Sequence, residues 1–297
     1  MSAGLTGITV AVIGGDDREI YMIPELQKLG AYIIGVGYEK ADLPGVTLLS
    51  PQEAVKRADV LLLPMYGADE NWKVIAKYAA EPILFDEELL KAVPLQVPLF
   101  IGWARPALKS LAGKLGIKVI ETANLDQLAI LNSIPSAEGA IQMAMEASPI
   151  TIHGSSSFVL GLGRCGLTLA RVLKGMGAKV TGVARKPADL ARAMEMGLEA
   201  LEFAELAMSI GKAELIFNTV PSLILDKTML DKVNPETVII DIASPPGGTD
   251  FAYAEALGIK AMLAPGLPGK VAPKTAGKIL AQIYPQLILR HLTTSTT

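Results

Sequence analysis

The chain has 297 residues, which is too long for one compact core and about right for two domains. Its 27 Lys and Arg residues against 30 Asp and Glu give a net charge of −3 without any basic block, and this excludes a nucleic-acid partner. Although 51% of the residues are hydrophobic, no apolar run reaches the ~18 residues that a membrane span needs, so a membrane protein is excluded as well.

Short aliphatic segments alternate with helical segments along the whole chain, and this alternation is typical of βαβ units with a parallel sheet. The chain enters its first strand almost at once without an export signal, which predicts a cytoplasmic location. In the first half, strands are predicted at Thr9–Ile13, Tyr32–Val36, Val60–Leu63, Ile83–Phe85, Leu99–Ile101 and Lys118–Ile120. In the second half, they are predicted at Ser157–Leu160, Lys179–Val183, Leu215–Asn218, Val238–Asp241 and Lys260–Leu263.

Two helices organise these segments into domains. A helix at Ser136–Ala147 follows Pro135 and separates the two halves, with Ser136 as its predicted N-cap. A last helix, from Pro273 to about His291, is expected to return to the first domain. The predicted fold class is α/β, with two doubly wound parallel-sheet (Rossmann-like) domains and a cleft between them. The predicted boundaries are 1–134 for a substrate domain, 135–150 for the linking helix, 151–272 for a nucleotide-binding domain and 273–297 for the C-terminal helix.

The strand that ends at Leu160 is followed by a glycine-rich turn that opens a helix, and this context favours a dinucleotide-binding turn over a turn that serves packing alone. In such turns the first glycine permits the bend, the second lets the diphosphate approach, and the third lets the helix pack on the strand. A loop after a later strand is expected to reach the same cofactor. The predicted cofactor-binding residues are Gly161, Leu162, Gly163, Arg164, Cys165 and Gly166 in the turn, and Thr219, Val220 and Pro221 in the loop.

Cys165 is the chain's one cysteine, which excludes an internal disulfide and a metal site built from several thiolates. No metal is predicted. Because Cys165 would lie under the cofactor, it is assigned to packing rather than to nucleophilic catalysis.

The end of the second strand in this domain distinguishes NAD from NADP. NAD-binding domains place an acid there, about 20 residues after the glycine turn, where it binds the ribose 2′-hydroxyl. This chain has Arg185 and Lys186 instead, and an arginine can hold a phosphate through two parallel hydrogen bonds. NADP is therefore the predicted cofactor, and the alternative is that both basic residues are simply solvated.

The equivalent turn of the first half contains Gly14 and Gly15 but lacks the third glycine. Asp16 and Asp17 follow, and their negative charge would oppose a diphosphate. This half is therefore expected to bind substrate rather than nucleotide. Asp16 is equally well explained as an ordinary helix N-cap.

The chemistry is constrained by the positions of the two histidines. Dehydrogenases of 2-hydroxyacids use a histidine as a proton shuttle, but His153 and His291 both lie away from the expected site. Alcohol oxidation is therefore disfavoured, and a hydride donor that becomes aromatic is favoured. Lys274 and Thr275, at the start of the last helix, are candidates for carboxylate binding, although a solvated lysine is an equal alternative.

Several longer motifs together resemble the family of dipicolinate synthase A subunits from spore-forming bacteria, and the resemblance spans nearly the whole chain. These motifs are far more specific than the glycine turn alone. They are Ile13-Gly14-Gly15-Asp16 with Arg18, Asn132-Ser133-Ile134-Pro135 with Glu138-Gly139, Thr151–Ser155, Gly161-Leu162-Gly163-Arg164, Pro246–Phe251, Ala264–Gly269 and Ala272–Gly277.

The resemblance implies an NADP-dependent oxidation of dihydrodipicolinate to dipicolinate during sporulation, in the mother-cell cytoplasm. It also implies the flavoprotein-like B subunit of dipicolinate synthase as partner in a hetero-oligomer. The substrate is then a small dicarboxylate, and its expected ligands are Arg18, Asn132, Ser133, Gly266, Lys274 and Thr275. The catalytic residue is unassigned, with Asp16, Asp241 or water as candidate proton acceptors. The alternatives are a 2-hydroxyacid-type NAD(P) dehydrogenase and a non-catalytic NADP-sensing module.

Overall fold

The structure is a computed structural model that describes residues 4–293. The chain forms two compact units. Of the described residues, 4–129 and 272–293 belong to the first unit and 130–271 to the second. Residues 294–297, which the sequence assigns to the C-terminal helix, lie outside the described residues. No helix between residues 4 and 293 combines the length and the apolar character needed to cross a membrane.

The first unit is built on a six-stranded parallel sheet with the order β3-β2-β1-β4-β7-β8. In chain order its elements are β1 (Thr9–Ile13), α1 (Asp17–Lys28), β2 (Tyr32–Val36), β3 (Thr47–Leu48), α2 (Pro51–Arg57), β4 (Val60–Leu62), β5 (Lys73–Val74), β6 (Ile83–Leu84), α3 (Glu87–Lys91), β7 (Leu99–Ile101), α4 (Pro106–Leu115) and β8 (Val119–Glu121).

The second unit repeats this topology with the order β11-β10-β9-β12-β13-β14. Helix α5 (Asp126–Ala147) leads into it from the first unit. Its further elements are β9 (Ser156–Leu160), α6 (Arg164–Gly175), β10 (Lys179–Ala184), α7 (Pro187–Glu195), β11 (Glu199–Glu202), α8 (Leu206–Ser209), a short 3-10 helix (Ile210–Lys212), β12 (Leu215–Asn218), α9 (Lys227–Leu230), β13 (Val238–Asp241), α10 (Phe251–Ala256), β14 (Lys260–Leu263) and α11 (Leu267–Val271). The predicted α/β class with two doubly wound sheets is confirmed.

The final helix, α12 (Pro273–Thr293), belongs to the first unit and packs on α1. Gly277 makes this packing possible, because a Cβ atom there would lie 2.3 Å from the carbonyl oxygen of Arg18. The helices can approach closely only where one of them lacks a side chain. The predicted return of the last helix to the first domain is thereby confirmed.

Three sequence-based assignments need correction. The strand predicted at Ile83–Phe85 does not join the parallel sheet; β6 pairs antiparallel with β5 in a separate hairpin. The edge strands β3 and β11 were missed, because β3 has only two residues and β11 begins and ends with an exposed glutamate. The linking helix starts at Asp126 rather than at Ser136, whose hydroxyl donates to the Asn132 carbonyl inside the helix.

Candidate functional site

The glycine turn of the second unit lies between β9 and α6 and is tightly held. Gly161 adopts a φ of +89°, and its N–H donates to the carbonyl of Val183 at 2.9 Å. The Thr219 hydroxyl lies 3.0 Å from the carbonyl oxygen of Gly161. A Cβ atom on Gly166 would lie 1.8 Å from that same oxygen. The positive φ therefore requires glycine at Gly161, and the close backbone contact requires it at Gly166.

Gly163 differs from its two neighbours in this turn. A Cβ atom added to it would meet no atom within 4 Å, and its φ of −76° is open to any residue. It is the N-cap of α6, and no side chain caps this helix start. The start of α6 therefore borders open space at the Gly163 Cβ position, and a diphosphate at a helix start gains from both hydrogen bonding and the helix dipole. The turn fits a dinucleotide.

The end of β10 carries the two basic residues expected to select the cofactor. The strand ends at Ala184, and both Arg185 and Lys186 are exposed. Lys186 is the N-cap residue of α7 and makes no side-chain cap hydrogen bond. The chain thus presents positive charge where NAD-binding domains have a carboxylate.

Cys165 lies in the first turn of α6. Burial raises the pKa of its thiol, against the opposing effect of Arg164. The reactive thiolate is therefore disfavoured at neutral pH.

Asp241 ends β13 and is fully buried. Its Oδ2 atom accepts hydrogen bonds from Asn218 Nδ2 (3.0 Å), from the Gly248 amide (2.8 Å) and from the Thr249 hydroxyl (2.7 Å). Its Oδ1 atom accepts from the Ala243 amide at 3.1 Å. The carboxylate thus holds the loop that follows β13 in a fixed conformation.

The same network reaches the loop expected to contact the cofactor. Asn218 donates from Nδ2 to the Val220 carbonyl and accepts from the Val220 amide at Oδ1, at 3.0 and 3.1 Å. Asn218 therefore closes a turn around Thr219, and its amide links that turn to Asp241. Two loops at the carboxyl edge of the sheet share one buried carboxylate.

Asp241→Asn is expected to lower the free energy of unfolding by about 2–4 kcal/mol, because an amide cannot accept all the hydrogen bonds that the carboxylate accepts. Urea denaturation measures this loss. Asp226→Asn is the matched control, since Asp226 is an exposed N-cap and asparagine caps equally well. Equal stability of the two variants would show that the network does not hold the loops.

The glycine turn of the first unit is closed by its own chain. The Gly15 amide donates to the Ile75 carbonyl at 2.6 Å, and the Lys77 amide donates to the Gly15 carbonyl at 2.9 Å. A Cβ atom on Gly14 would lie 2.6 Å from the Ile75 oxygen. The segment around β5 therefore fills the position that a diphosphate takes in a nucleotide-binding turn.

Asp16, the candidate proton acceptor of this unit, is the N-cap of α1. Its Oδ1 accepts from the amide and from Nε of Arg18, both at 2.9 Å, and its Oδ2 accepts from Nη2 at 2.8 Å. Arg18 itself is 5% exposed. The carboxylate is thus engaged by a helix cap and a two-point ion pair.

Glu19 completes the capping box by accepting from the Asp16 amide at 2.7 Å. Burial raises the pKa of its carboxyl from 4.5 to about 7, although Arg18 opposes the shift. The stability that this protonated group contributes is complete below pH 4.5, where both folded and unfolded states hold the proton. It is lost as the pH rises to 7 and beyond, because the unfolded state releases the proton first.

Glu19→Gln is expected to remove this pH dependence, because glutamine does not titrate. Relative to the unmodified protein, the variant gains up to about 3 kcal/mol of unfolding free energy between about pH 5 and pH 8. Urea denaturation at several pH values measures the difference. Glu53→Gln, in the exposed capping box of α2, is the control and shows no such gain. If the difference in unfolding free energy between Glu19→Gln and the unmodified protein does not change with pH, the raised pKa of Glu19 is contradicted.

The predicted substrate ligands fall into both units. In the first, Lys274 and Thr275 are exposed and lie within one helical turn of Gly277, the residue of α12 that packs against the Arg18 carbonyl. The second unit contains Gly266, Asn132 and Ser133.

Two of these residues have distinctive surroundings. The Ser133 hydroxyl lies 2.6 Å from both the Ile130 carbonyl and the Thr168 hydroxyl, which links α5 to α6. The Oδ1 atom of Asn132 is buried without a hydrogen-bond partner among the described residues. A buried polar atom of this kind requires an explanation, and a bound donor supplies one.

Sequence reasoning missed Tyr66, Trp103 and Arg105, which follow β4 and β7 in the first unit. Both rings are more than 40% exposed. The available signal was a large aromatic residue soon after a strand end in a chain with only 5% aromatic residues. At that edge of a parallel sheet, loops form ligand sites.

Comparison with known proteins places the second unit in a functional class. Residues 133–247 match the family model described as "D-isomer specific 2-hydroxyacid dehydrogenase, NAD binding domain". Together with the open turn at Gly163, this match identifies a dehydrogenase-type nucleotide-binding domain and indicates a nicotinamide cofactor.

The chain belongs to the family of dipicolinate synthase A subunits. Residues 9–123 match the family model for the N-terminal domain of that subunit. The chain is 41% identical over 287 residues to the A subunit of dipicolinate synthase from Bacillus subtilis (strain 168), covering 96% of this chain and 97% of that protein. The resemblance inferred from the motifs is confirmed.

Two crystal structures of dipicolinate synthase A subunits agree with this assignment. The one from Bacillus halodurans has a TM-score of 0.93 at 40% identity, covering 96% of this chain and 99% of that chain. The one from Bacillus subtilis has a TM-score of 0.92 at 40% identity, covering 98% and 99%. Membership in this family, together with a dehydrogenase-type domain, supports an oxidoreductase role.

Proposed function

We propose that this protein oxidises dihydrodipicolinate to dipicolinate with NADP. The observation that carries the proposal is the turn after β9, open at Gly163 and followed by Arg185 at the end of the next strand, in a chain 41% identical to the A subunit of a dipicolinate synthase. Open space at the turn suits the diphosphate, and two cations suit the 2′-phosphate that distinguishes NADP from NAD.

The proposed reaction removes one hydride and one proton from a CH–CH/CH–NH unit of a dihydropyridine. NADP, when bound on the turn after β9, would supply the hydride acceptor, and the proton would pass to solvent. Aromatisation of the ring supplies much of the driving force, so the protein's main task is to position the donor carbon. Gly161, Gly163 and Gly166 shape the turn for this cofactor, and Thr219 with Val220 borders it.

The substrate carries two carboxylates, so its binding needs cations and amide donors. In the first unit, Lys274 and Thr275 are exposed and are the proposed ligands. Arg18 is 5% exposed and its guanidinium is held at two points by Asp16, so it is not available to a substrate carboxylate. Asp16 and Asp241 remain the carboxylates considered for proton transfer. Both are engaged through both oxygens by hydrogen bonds, which favours water as the proton acceptor.

The family name implies a complex with other subunits. The proposed partner is the flavoprotein-like B subunit of dipicolinate synthase, in a hetero-oligomer that acts in the mother-cell cytoplasm during sporulation. Co-purification of the two proteins tests this part of the proposal independently of turnover.

A 2-hydroxyacid dehydrogenase is the second candidate, because the nucleotide-binding domain matches that family's model. However, neither histidine of this chain is placed to act as the proton shuttle that such an enzyme needs. His153 lies against Gly177, where a Cβ atom would be 2.2 Å from Nδ1, at the edge of the sheet opposite the glycine turn. His291 packs edge-on against Phe100 near the end of α12. Neither ring is placed in its own unit to take a hydroxyl proton at the carboxyl edge.

The decisive experiment supplies freshly made dihydrodipicolinate and NADP to the purified protein, alone and with the B subunit. NADPH and dipicolinate are expected in equal amounts, and lactate, glycerate and malate are expected to give neither. Nucleotide binding without turnover under both conditions would identify an NADP-sensing module. Turnover of a hydroxyacid would identify the second candidate.

A further inference from the structure

Two loops at the carboxyl edge of the first unit's sheet are locked together through their backbones. One follows β4 and the other follows β7. The Gly102 amide donates to the Pro64 carbonyl at 3.2 Å. A Cβ atom on Gly102 would lie 2.1 Å from the Met65 carbonyl oxygen, and one on Gly67 would lie 2.3 Å from the Trp103 carbonyl oxygen. The loops fit only because both positions are glycine, and this contact fixes Tyr66 and Trp103 on adjacent loops.

Both of these aromatic rings are exposed. Tyr66 is 41% exposed and Trp103 is 46% exposed, whereas Phe100, in the strand just before Trp103, is fully buried. Large rings held rigidly at the carboxyl edge of a parallel sheet provide flat contact area for a ligand with little loss of side-chain entropy.

An arginine guanidinium also lies over each exposed ring. The Arg18 guanidinium carbon lies 5.4 Å from the centre of the Tyr66 ring, and that of Arg105 lies 5.9 Å from the Trp103 ring. Arg105 also donates from Nε to the Ala68 carbonyl at 3.2 Å, which ties it to the loop that holds Tyr66. The two arginine–aromatic pairs thus lie on loops whose backbones are in contact.

The two arginines differ in how firmly they are paired. Arg18 is buried and held at two points by Asp16. Arg105 pairs at 3.2 Å with Glu70, whose side chain is 84% exposed. An exposed pair of this kind contributes little and is readily replaced by a better-placed carboxylate. Arg105 is therefore the guanidinium available to a ligand, while Arg18 supports the Tyr66 ring.

We propose that Tyr66, Trp103 and Arg105 form a recognition site for a flat aromatic dicarboxylate, which we name the aromatic–arginine edge. The rings contact the face of the ligand, and the Arg105 guanidinium binds a carboxylate in place of Glu70. The identity of the ligand as a pyridine dicarboxylate rests on the function proposed above. The edge then selects for the planar product-like ring over open-chain diacids.

Tryptophan fluorescence tests this assignment directly, because the chain has two tryptophans, Trp72 and Trp103. In the full-length Trp72→Phe protein, emission excited at the red edge of the tryptophan band reports Trp103 alone. Dipicolinate is expected to quench it saturably. Pyridine, which lacks the carboxylates, and iminodiacetate, which lacks the ring, are expected to bind at least about 10-fold more weakly. Equal binding of iminodiacetate, or no saturable quenching, would overturn the proposal.

Arg105→Lys keeps the charge but removes the planar fork, so the dipicolinate dissociation constant is expected to rise about 10-fold. Lys114→Arg, at an exposed lysine in the last turn of α4, is the matched control and leaves it unchanged. If Trp72→Phe does not fold, fluorine NMR of the unmodified protein labelled with 5-fluorotryptophan gives the same readout: only one of two signals shifts, and Trp103→Phe removes that one. A shift of the other signal would overturn the site.

The outcome is separable from that of the proposed function. Dipicolinate binding at Trp103 in a protein that never reduces NADP would support the edge and reject the reaction. Turnover of dihydrodipicolinate with an unchanged KM in Trp103→Ala and Arg105→Gln would support the reaction and reject the edge.

Discussion

Gly163→Ala is expected to leave the protein folded and to weaken nucleotide binding about 100-fold or more. The new methyl group meets no atom of the protein within 4 Å, and its backbone conformation suits alanine. Alanine is a poorer N-cap than glycine, so the unfolding free energy is expected to fall by at most about 1 kcal/mol. The methyl group instead occupies the space assigned to the diphosphate. Calorimetric titration with NADPH measures the effect.

Gly166→Ala provides the contrast, because its methyl group would lie 1.8 Å from the Gly161 carbonyl oxygen. The turn must then move, and a loss of about 3 kcal/mol or more in unfolding free energy is expected. Together, Gly163→Ala and Gly166→Ala distinguish a loss of nucleotide binding from a loss of folding stability. Normal NADPH affinity in a folded Gly163→Ala protein would show that the open space at this turn does not hold the cofactor.

Arg185→Asp is expected to raise the dissociation constant for NADP about 100-fold and to change that for NAD less than about 3-fold. The substitution removes a cation from the end of β10 and puts a carboxylate in its place, which repels a 2′-phosphate but can accept a hydrogen bond from a 2′-hydroxyl. Titration of the variant with each cofactor at one ionic strength measures the selectivity.

Arg192→Asp is the matched control for this experiment. It makes the same charge change on an exposed arginine of α7, at a residue that pairs with Glu195 on its own helix. It should leave both dissociation constants unchanged. Equal weakening of NAD and NADP by Arg185→Asp would contradict the role assigned to the end of β10.

Much of the fold could be predicted because the central strands carry a clear physical signal. β4 is entirely aliphatic, and β1 and β13 are aliphatic apart from Thr9 and Asp241 at one end of each, as expected of parallel strands buried on both faces. The edge strands escaped prediction because an edge strand needs fewer buried side chains; β3 has two residues and β11 exposes two glutamates. The hairpin of β5 and β6 escaped for a different reason, since an aliphatic pair does not reveal which strand it joins.

The glycine turn after β9 was the most predictable part of the candidate site, since the local backbone requires glycine at Gly161 and Gly166 and a sequence motif records this. Side-chain partnerships were not predictable in the same way. The burial of Asp241 among donors separated from it by up to 23 residues depends on how the loops fold back. The closure of the first glycine turn by Ile75 likewise depends on a distant segment of the chain, beyond the reach of any local pattern.

We expect one NADP to bind per chain, on the turn after β9 and not on the turn after β1. A crystal structure of the protein grown with NADP tests this most directly. Density is expected for the diphosphate against the amides that follow Gly163, with the adenosine phosphate beside Arg185, and Ile75 still closing the first turn. Nucleotide density on Gly14 and Gly15, with the second turn empty, would contradict it.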